Sequence, residues 1–281
     1  MKKIIAFTGL LFIVLANVPI VNAQSFRGQS MNGSTGLYSL PSGRIGWEEA
    51  GNFGLDLGYR AVINNEAGVA HIPALTMSLL KWVEIAAAFD FQPLINNEKN
   101  DDLLLGLKIR LPTNLNNSKN PAIAIGGNFQ LVNITNDYPH SYYAYQPYIA
   151  ITYLGAFFKM SAETTLVFGK TFYSHGPEND SNIDFGMGFD LILFPDVFKN
   201  AVHWIIDFSN FSYSDNSWPN QLGYHTPAWW RGILNTGFRI DLSTIPALSK
   251  MKFLIDLVFN DLFDAGARSF TAGVVIGFSS K

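Results

Sequence analysis

The residue types that do chemistry are sparse in this chain. Its five histidines are His71, His140, His175, His203 and His225. No two stand in the His-x-x-x-His or His-Glu-x-x-His spacing that sets two imidazoles on one helical face around zinc. There is no cysteine. That excludes a thiolate metal site, a cysteine nucleophile, a disulfide framework and an N-terminal lipoprotein anchor. A lipid hydrolase built on strands would need a His and a Ser two residues apart on one face, with an Asn on the next strand orienting the imidazole. His140-Ser141 are adjacent, and adjacent strand residues point to opposite faces. His175 with Asp180, and His225 with Asp215, lie in polar stretches that read as solvated loops. Gly186-Met187-Gly188 lacks the strand-to-helix context of a phosphate loop. These residues predict no enzyme, no metal and no cofactor.

The charged residues are more informative, because they sit inside apolar segments. In Phe53-Gly54-Leu55-Asp56-Leu57-Gly58-Tyr59-Arg60 the odd positions are large and apolar, the even ones small or charged. The same alternation runs through Val83–Phe91, Leu105–Leu111, Ile123–Leu131, Asp184–Leu191, Phe253–Phe259 and Phe270–Phe278. Successive strand side chains point to opposite faces, so each segment has a greasy face and a small or polar one. A soluble sandwich would show water a face rich in Lys, Glu and Thr. Here the second face is Gly, Ala, Ser, Thr and Asn with isolated charges, which suits a narrow lumen. The greasy face is about ten residues long, enough to cross a bilayer as a tilted strand. Backbone groups in lipid must all be paired, so such strands close on themselves. The expected fold is all-β, a single transmembrane antiparallel up-and-down barrel of about twelve strands.

Those strands fall near 52–63, 69–79, 82–92, 102–111, 121–132, 143–153, 157–173, 182–193, 202–212, 231–242, 252–260 and 268–278. Leu80-Lys81 and Leu154-Gly155 read as tight turns, whereas 174–181 and 213–230 read as long polar loops. Short turns belong on the periplasmic side and long loops outside, which puts both termini in the periplasm. Pro73 and Pro147 fall within strand patterns and predict a bulge or local break. Tyr142, Tyr143, Tyr145, Tyr148, Phe172, Tyr173, Trp82, Trp204, Trp229 and Trp230 cluster at strand ends and read as an aromatic girdle at the headgroups.

By parity, the inward-facing acids are Asp56, Glu84, Asp90, Glu163, Asp184, Asp190, Asp207, Asp241 and Asp256. The inward-facing bases are Arg60, Lys108, Arg110, Lys159 and Arg239. Two outcomes are open. The charges line a wet, mildly cation-preferring pore, or they pair across a filled lumen, with Asp56, Asp90 and Asp241 as the expected partners of the arginines. Residues 24–50 precede the first strand, as either a periplasmic tail or a plug folded into the barrel with Arg44 meeting lumen acids. The transmembrane barrel itself is residues 51–281.

Residues 1–23 carry an address. Lys2 and Lys3 precede an uncharged run from Ile4 to Ala16, and Val21-Asn22-Ala23 precedes Gln24. That is the pattern of a signal peptide cut after Ala23. No other stretch has 18 consecutive apolar residues, so no helical span is expected. Of the 281 residues 48% are apolar and 15% charged, with a net charge of −3. Nothing basic predicts nucleic acid.

With its signal peptide, alternating segments and final Gly277-Phe278, the chain resembles the outer-membrane β-barrel proteins of diderm bacteria. Such proteins usually end on the aromatic residue, and here Ser279-Ser280-Lys281 follow it. Thr35-Gly36-Leu37-Tyr38-Ser39-Leu40-Pro41 also resembles the Gly-Leu-x-x-x-Pro opening of exopolysaccharide-associated (YjbH-like) barrels. The resemblance implies a monomer in the cell outer membrane, with lipid, the barrel-assembly machinery and small solutes as partners. The expected role is a narrow, porin-like passive channel or a structural surface barrel. Two alternatives stand beside it. One is an adhesin-like surface barrel resting on 213–230, with Trp218, Tyr224, Trp229 and Trp230. The other is an outer-membrane lipid-modifying enzyme.

Overall fold

A computed structural model describes residues 27–48, 51–64, 68–93, 101–112, 121–132, 142–157, 160–174, 183–210, 232–263 and 268–280. The signal peptide expected over 1–23, Lys159, His140, His175, His225 and the aromatic residues of 213–230 lie outside them.

The alternating segments form twelve strands. They are β1 (Phe53–Asn64), β2 (Gly68–Leu79), β3 (Val83–Asp90), β4 (Asp102–Arg110), β5 (Ala122–Val132) and β6 (Tyr142–Phe157). Then come β7 (Met160–Gly169), β8 (Asp184–Ile192), β9 (Val202–Ser209), β10 (Ile233–Asp241), β11 (Lys252–Asn260) and β12 (Ser269–Ser280). Each pairs antiparallel with its neighbours in sequence, and β12 pairs with β1 from Phe270↔Ile63 to Ser280↔Phe53. The barrel is closed and leaves no sheet edge in lipid.

The expected strand 157–173 is shorter. β7 stops at Gly169, and a two-residue piece, Phe172–Tyr173, resumes the pairing with β6. The gap lies beside Pro147, which has no N–H to donate. Pro73 acts the same way on one side only. The β1–β2 ladder runs through Tyr59↔Pro73 unbroken, but the β2–β3 ladder ends at Ala74↔Ala88. An isolated bridge at His71↔Phe91 lies beyond it.

The exterior is apolar. Leu57, Tyr59, Leu107, Ile109, Ile149 and Phe238 are exposed, while their neighbours Asp56, Arg60, Lys108, Arg110, Ala150 and Arg239 are buried. A closed barrel with an apolar exterior is an integral protein of the outer membrane. Among the described residues the turns at the end holding Phe53 and Ser280 are compact. They include Leu80-Lys81-Trp82, the short helix α1 (Pro195–Phe198) and two 3₁₀ turns, Leu242–Thr244 and Pro246–Leu248. We take this as the periplasmic end. Tyr143 and Tyr145 face outward, as a girdle requires, and Trp204 is also exposed. Tyr148 is not in the girdle. Its parity matches Ala144, Gln146 and Ala150, and it is buried inside the barrel with them.

Candidate functional site

Residues 27–48 lie inside this barrel. From Gly28 to Glu48 every residue is buried. The segment rises twice from the periplasmic end. Gly28–Gln29 pairs with Thr35–Gly36 in a two-stranded ladder around a first tip, where Asn32 Nδ2 donates to Asn128 Oδ1 on β5. A second tip follows at Tyr38-Ser39, and a Gly36↔Pro41 bridge closes it. Tyr38 Oη lies 2.8 Å from Thr271 Oγ1 on β12. Ser39 Oγ lies 3.2 Å from Ser209 Oγ at the far end of β9. The chain then descends past Thr152, whose Oγ1 accepts the Gly43 N–H at 2.8 Å. It reaches the periplasmic end at Trp47, whose indole N–H donates to Asp56 Oδ1 at 2.7 Å.

The wall makes room for this insert with glycine. A side chain at Gly54 would meet the Trp47 ring, one at Gly58 would meet Gln29 Oε1, and one at Gly188 would meet Leu37 Cδ1. Burying Trp47, Leu40 and Ile45, each nearly or fully inaccessible, gives the insert its own apolar grip.

The periplasmic half of the lumen holds most of the buried charge. Lys252 Nζ lies 2.6 Å from Asp56 Oδ2, and Lys108 Nζ 2.8 Å from Glu84 Oε1. Arg239 grips Asp256 with two bonds, Nε at 2.8 Å and Nη2 at 3.1 Å, and reaches Asp190 Oδ2 at 3.3 Å. Insert and wall share a further cluster. Glu48 pairs with Arg44 at 2.9 Å, with Arg27 at 3.7 Å and with Arg110 of β4. Glu163 of β7 takes Arg27 and Arg44, both at 2.9 Å. Burial alone would raise the Glu48 carboxyl. Arg27, Arg110 and Arg44 outweigh it and hold Glu48 below the ordinary glutamate value.

The pairings differ from those expected by parity. Arg110 pairs with Glu48 of the insert, and Arg239 with Asp256 and Asp190. Asp241 accepts from Ser243. Arg60 has no carboxylate within ion-pair distance among the described residues and donates instead to the Gln29 carbonyl. For Arg110 and Arg60 the partner is supplied by the insert, and for Arg239 it is the cross-strand neighbour Asp256.

The extracellular half is built from amides and acids. Asn128 Nδ2 donates to Gln146 Oε1 at 2.9 Å, and Gln146 Nε2 to Asp184 Oδ2 at 2.7 Å. Gln130 Nε2 donates to Asp102 Oδ2 at 2.9 Å, and Gln92 Nε2 to Asp90 Oδ2 at 3.2 Å. Asn235 Nδ2 donates to Asp207 Oδ1 at 2.8 Å. Asp90 and Asp102 are direct cross-strand partners. Every buried Lys or Arg among the described residues lies at or below the level of Arg60.

Sequence parity missed Lys252, although it lies on the same face of β11 as Leu254 and Asp256. It also missed Arg27, Trp47 and the amide row. The small inner faces around Gly54, Gly58 and Gly188 were the available signal for an insert.

The cavities found among the described lumen residues are small. One of about 60 Å³ lies at the periplasmic mouth between Arg27, Ser161, Glu163, Asp190 and His203, and one of about 10 Å³ lies beside Asn32, Asn128 and Gln146. Such volumes hold a few waters and no solute. His203 is committed at both nitrogens. Nδ1 lies 2.5 Å from Asp190 Oδ1, and Nε2 lies 3.0 Å from the Asn200 carbonyl, which can only accept. Nε2 therefore donates, and Nδ1 is turned to Asp190.

The family model described as "Putative MetA-pathway of phenol degradation" matches residues 35–224, more than half of the chain. The chain belongs to that family. No curated protein sequence matches it. Its solved neighbours include the KdgM porin in complex with disordered oligogalacturonate, at 9% identity and a TM-score of 0.48, covering 80% of this chain and 99% of that one. They also include LpxR from Salmonella typhimurium, at 10% identity and 0.44, covering 80% and 100%. A third is the COG4313 outer membrane channel from Pseudomonas putida F1, at 12% identity and 0.42, covering 92% and 99%.

Proposed function

We propose that this protein is a narrow, porin-like channel for small solutes, held closed by its own residues 27–48. One observation carries the reading: the insert enters and leaves the lumen by the same periplasmic mouth. It can therefore withdraw without threading past the wall. The charges it now covers would be solvated once it leaves, so the emptied lumen is a wet polar path rather than a stranded set of ions. The acid-rich extracellular half, with no buried base among its described residues, favours cations over anions at the outer entrance.

The protein acts as a monomer in lipid, not as an enzyme, and β12 with Gly277-Phe278 is the segment for the assembly machinery to read. The family description points to phenols as one solute class to try. Conductance of the purified protein in a planar bilayer tests the channel. A gated channel gives a quiet baseline with discrete openings, and more openings in Trp47→Ala. A second reading, a purely structural barrel, is favoured by the filled lumen. It expects Trp47→Ala to lower stability and never to conduct.

A further inference from the structure

Beside the side-chain contacts already described, one set of wall residues holds the insert by its main chain. Glu84 Oε1 accepts the Thr35 N–H at 2.8 Å, and Lys108 Nζ donates to the Thr35 carbonyl at 3.0 Å. Glu84 and Lys108 are direct cross-strand partners and an ion pair. One buried pair therefore grips both polar groups of a single residue. The second oxygen of Glu84 accepts the Gly46 N–H at 3.3 Å. Arg239 Nη1 donates to the Gly36 carbonyl at 3.4 Å, and Arg60 donates to the Gln29 carbonyl. Across the lumen Asp207 accepts the Ser39 N–H through one oxygen and the Ser39 hydroxyl through the other, both at 2.8 Å. Wall acids take N–H groups and wall bases take carbonyls.

This pattern recognises a peptide by its backbone. An extended chain presents an N–H and a C=O on each residue, and a Glu–Lys pair satisfies both with charge-assisted bonds. A sugar or phenol hydroxyl carries donor and acceptor on one oxygen, whereas Glu84 and Lys108 reach a donor and an acceptor on separate atoms of one residue, the Thr35 N–H and C=O. We propose that Glu84, Lys108, Arg60, Arg239 and Asp207 form a binding site for extended peptides, which residues 27–48 occupy as a built-in ligand. The proposal rests on the gated-channel reading, since an outside peptide enters only when the insert withdraws.

The test uses the full chain with Leu40→Ala and Trp47→Ala, which loosen the apolar grip and leave the five wall residues intact. Where that variant does not insert into bilayers, Trp47→Phe, which loses the indole bond to Asp56, takes its place. Open channels are challenged from the extracellular side with acetyl-(Gly-Ser)₃-amide, with maltotriose and with phenol. The peptide is expected to block the current at a concentration at least tenfold below either comparator. Adding Glu84→Gln and Lys108→Met should raise its blocking concentration at least tenfold. An open channel that treats peptide and maltotriose alike overturns the peptide site and leaves the gate standing. So does a block that the Glu84 and Lys108 changes do not move. A channel that never opens contradicts the gate, and the peptide site falls with it.

Discussion

The two halves of the lumen solve the same problem with different chemistry. Both must bury polar groups in a cross-section shared with an insert. The periplasmic half uses full charges in pairs, such as Arg239 with Asp256 and Lys252 with Asp56. The extracellular half uses amides that hand hydrogen bonds from one strand to the next, Asn128 to Gln146 to Asp184. A buried ion that loses its partner costs far more than an amide that loses one bond. The difference shows where the insert is fastened. Both of its ends are locked where the charges pair, and its tips are held by hydrogen bonds alone, to Asn128, Thr271 and Asp207.

The largest effect is expected from Arg239→Ala. It strands Asp256, leaves Asp190 with His203 alone, and should cost about 3–5 kcal/mol, read as a lower unfolding temperature. A loss under 1 kcal/mol would mean that water reaches these carboxylates and that the halves do not differ. Trp47→Ala removes a buried indole from the periplasmic half and should cost about 3–5 kcal/mol by truncation. Part of that loss is expected as release of the insert, so protease added from the periplasmic side should cut within 27–48 before the barrel unfolds.

Acid sharpens the same contrast. Glu48 is held below its ordinary value in the folded protein, so its contribution is complete above that value and is lost as pH falls through the lowered one. Lowering the pH below about 4.5 should therefore loosen the periplasmic latch and increase channel openings. Glu48→Gln should conduct more at neutral pH and lose most of that acid response. The smallest effect belongs to the extracellular half. Gln146→Ala leaves Asn128 and Asp184 each short of a partner and should cost about 1–3 kcal/mol, measured by the same unfolding assay. A loss as large as that of Arg239→Ala would erase the distinction.

Much of the barrel was legible because strand parity is a local property. The alternation at Phe53–Arg60 and Asp184–Leu191 fixes which residues face in, and the chain closes as twelve strands. What parity does not carry is the partner across the lumen. Arg60, Arg110 and Arg239 all face inward by parity, but the partners of Arg60 and Arg110 lie in a segment with no periodicity, residues 27–48, and Arg239 takes its cross-strand neighbour Asp256. Tyr148 shows the limit from the other side. As an aromatic near a strand end it reads as girdle, yet period two turns it inward beside Gly126. Glycines at 54, 58 and 188 hinted at something large inside, but a row of small residues does not say what fills the space.

The gate is tested most directly by locking it. Ser39 at the second tip and Ser209 on β9 have hydroxyl oxygens 3.2 Å apart, and the chain has no native cysteine. In the Ser39→Cys, Ser209→Cys double variant, single-channel recording should show discrete openings under reducing conditions. Oxidation should silence them, and reductant should restore them. Equal conductance in both states, or none in either, would contradict closure by residues 27–48.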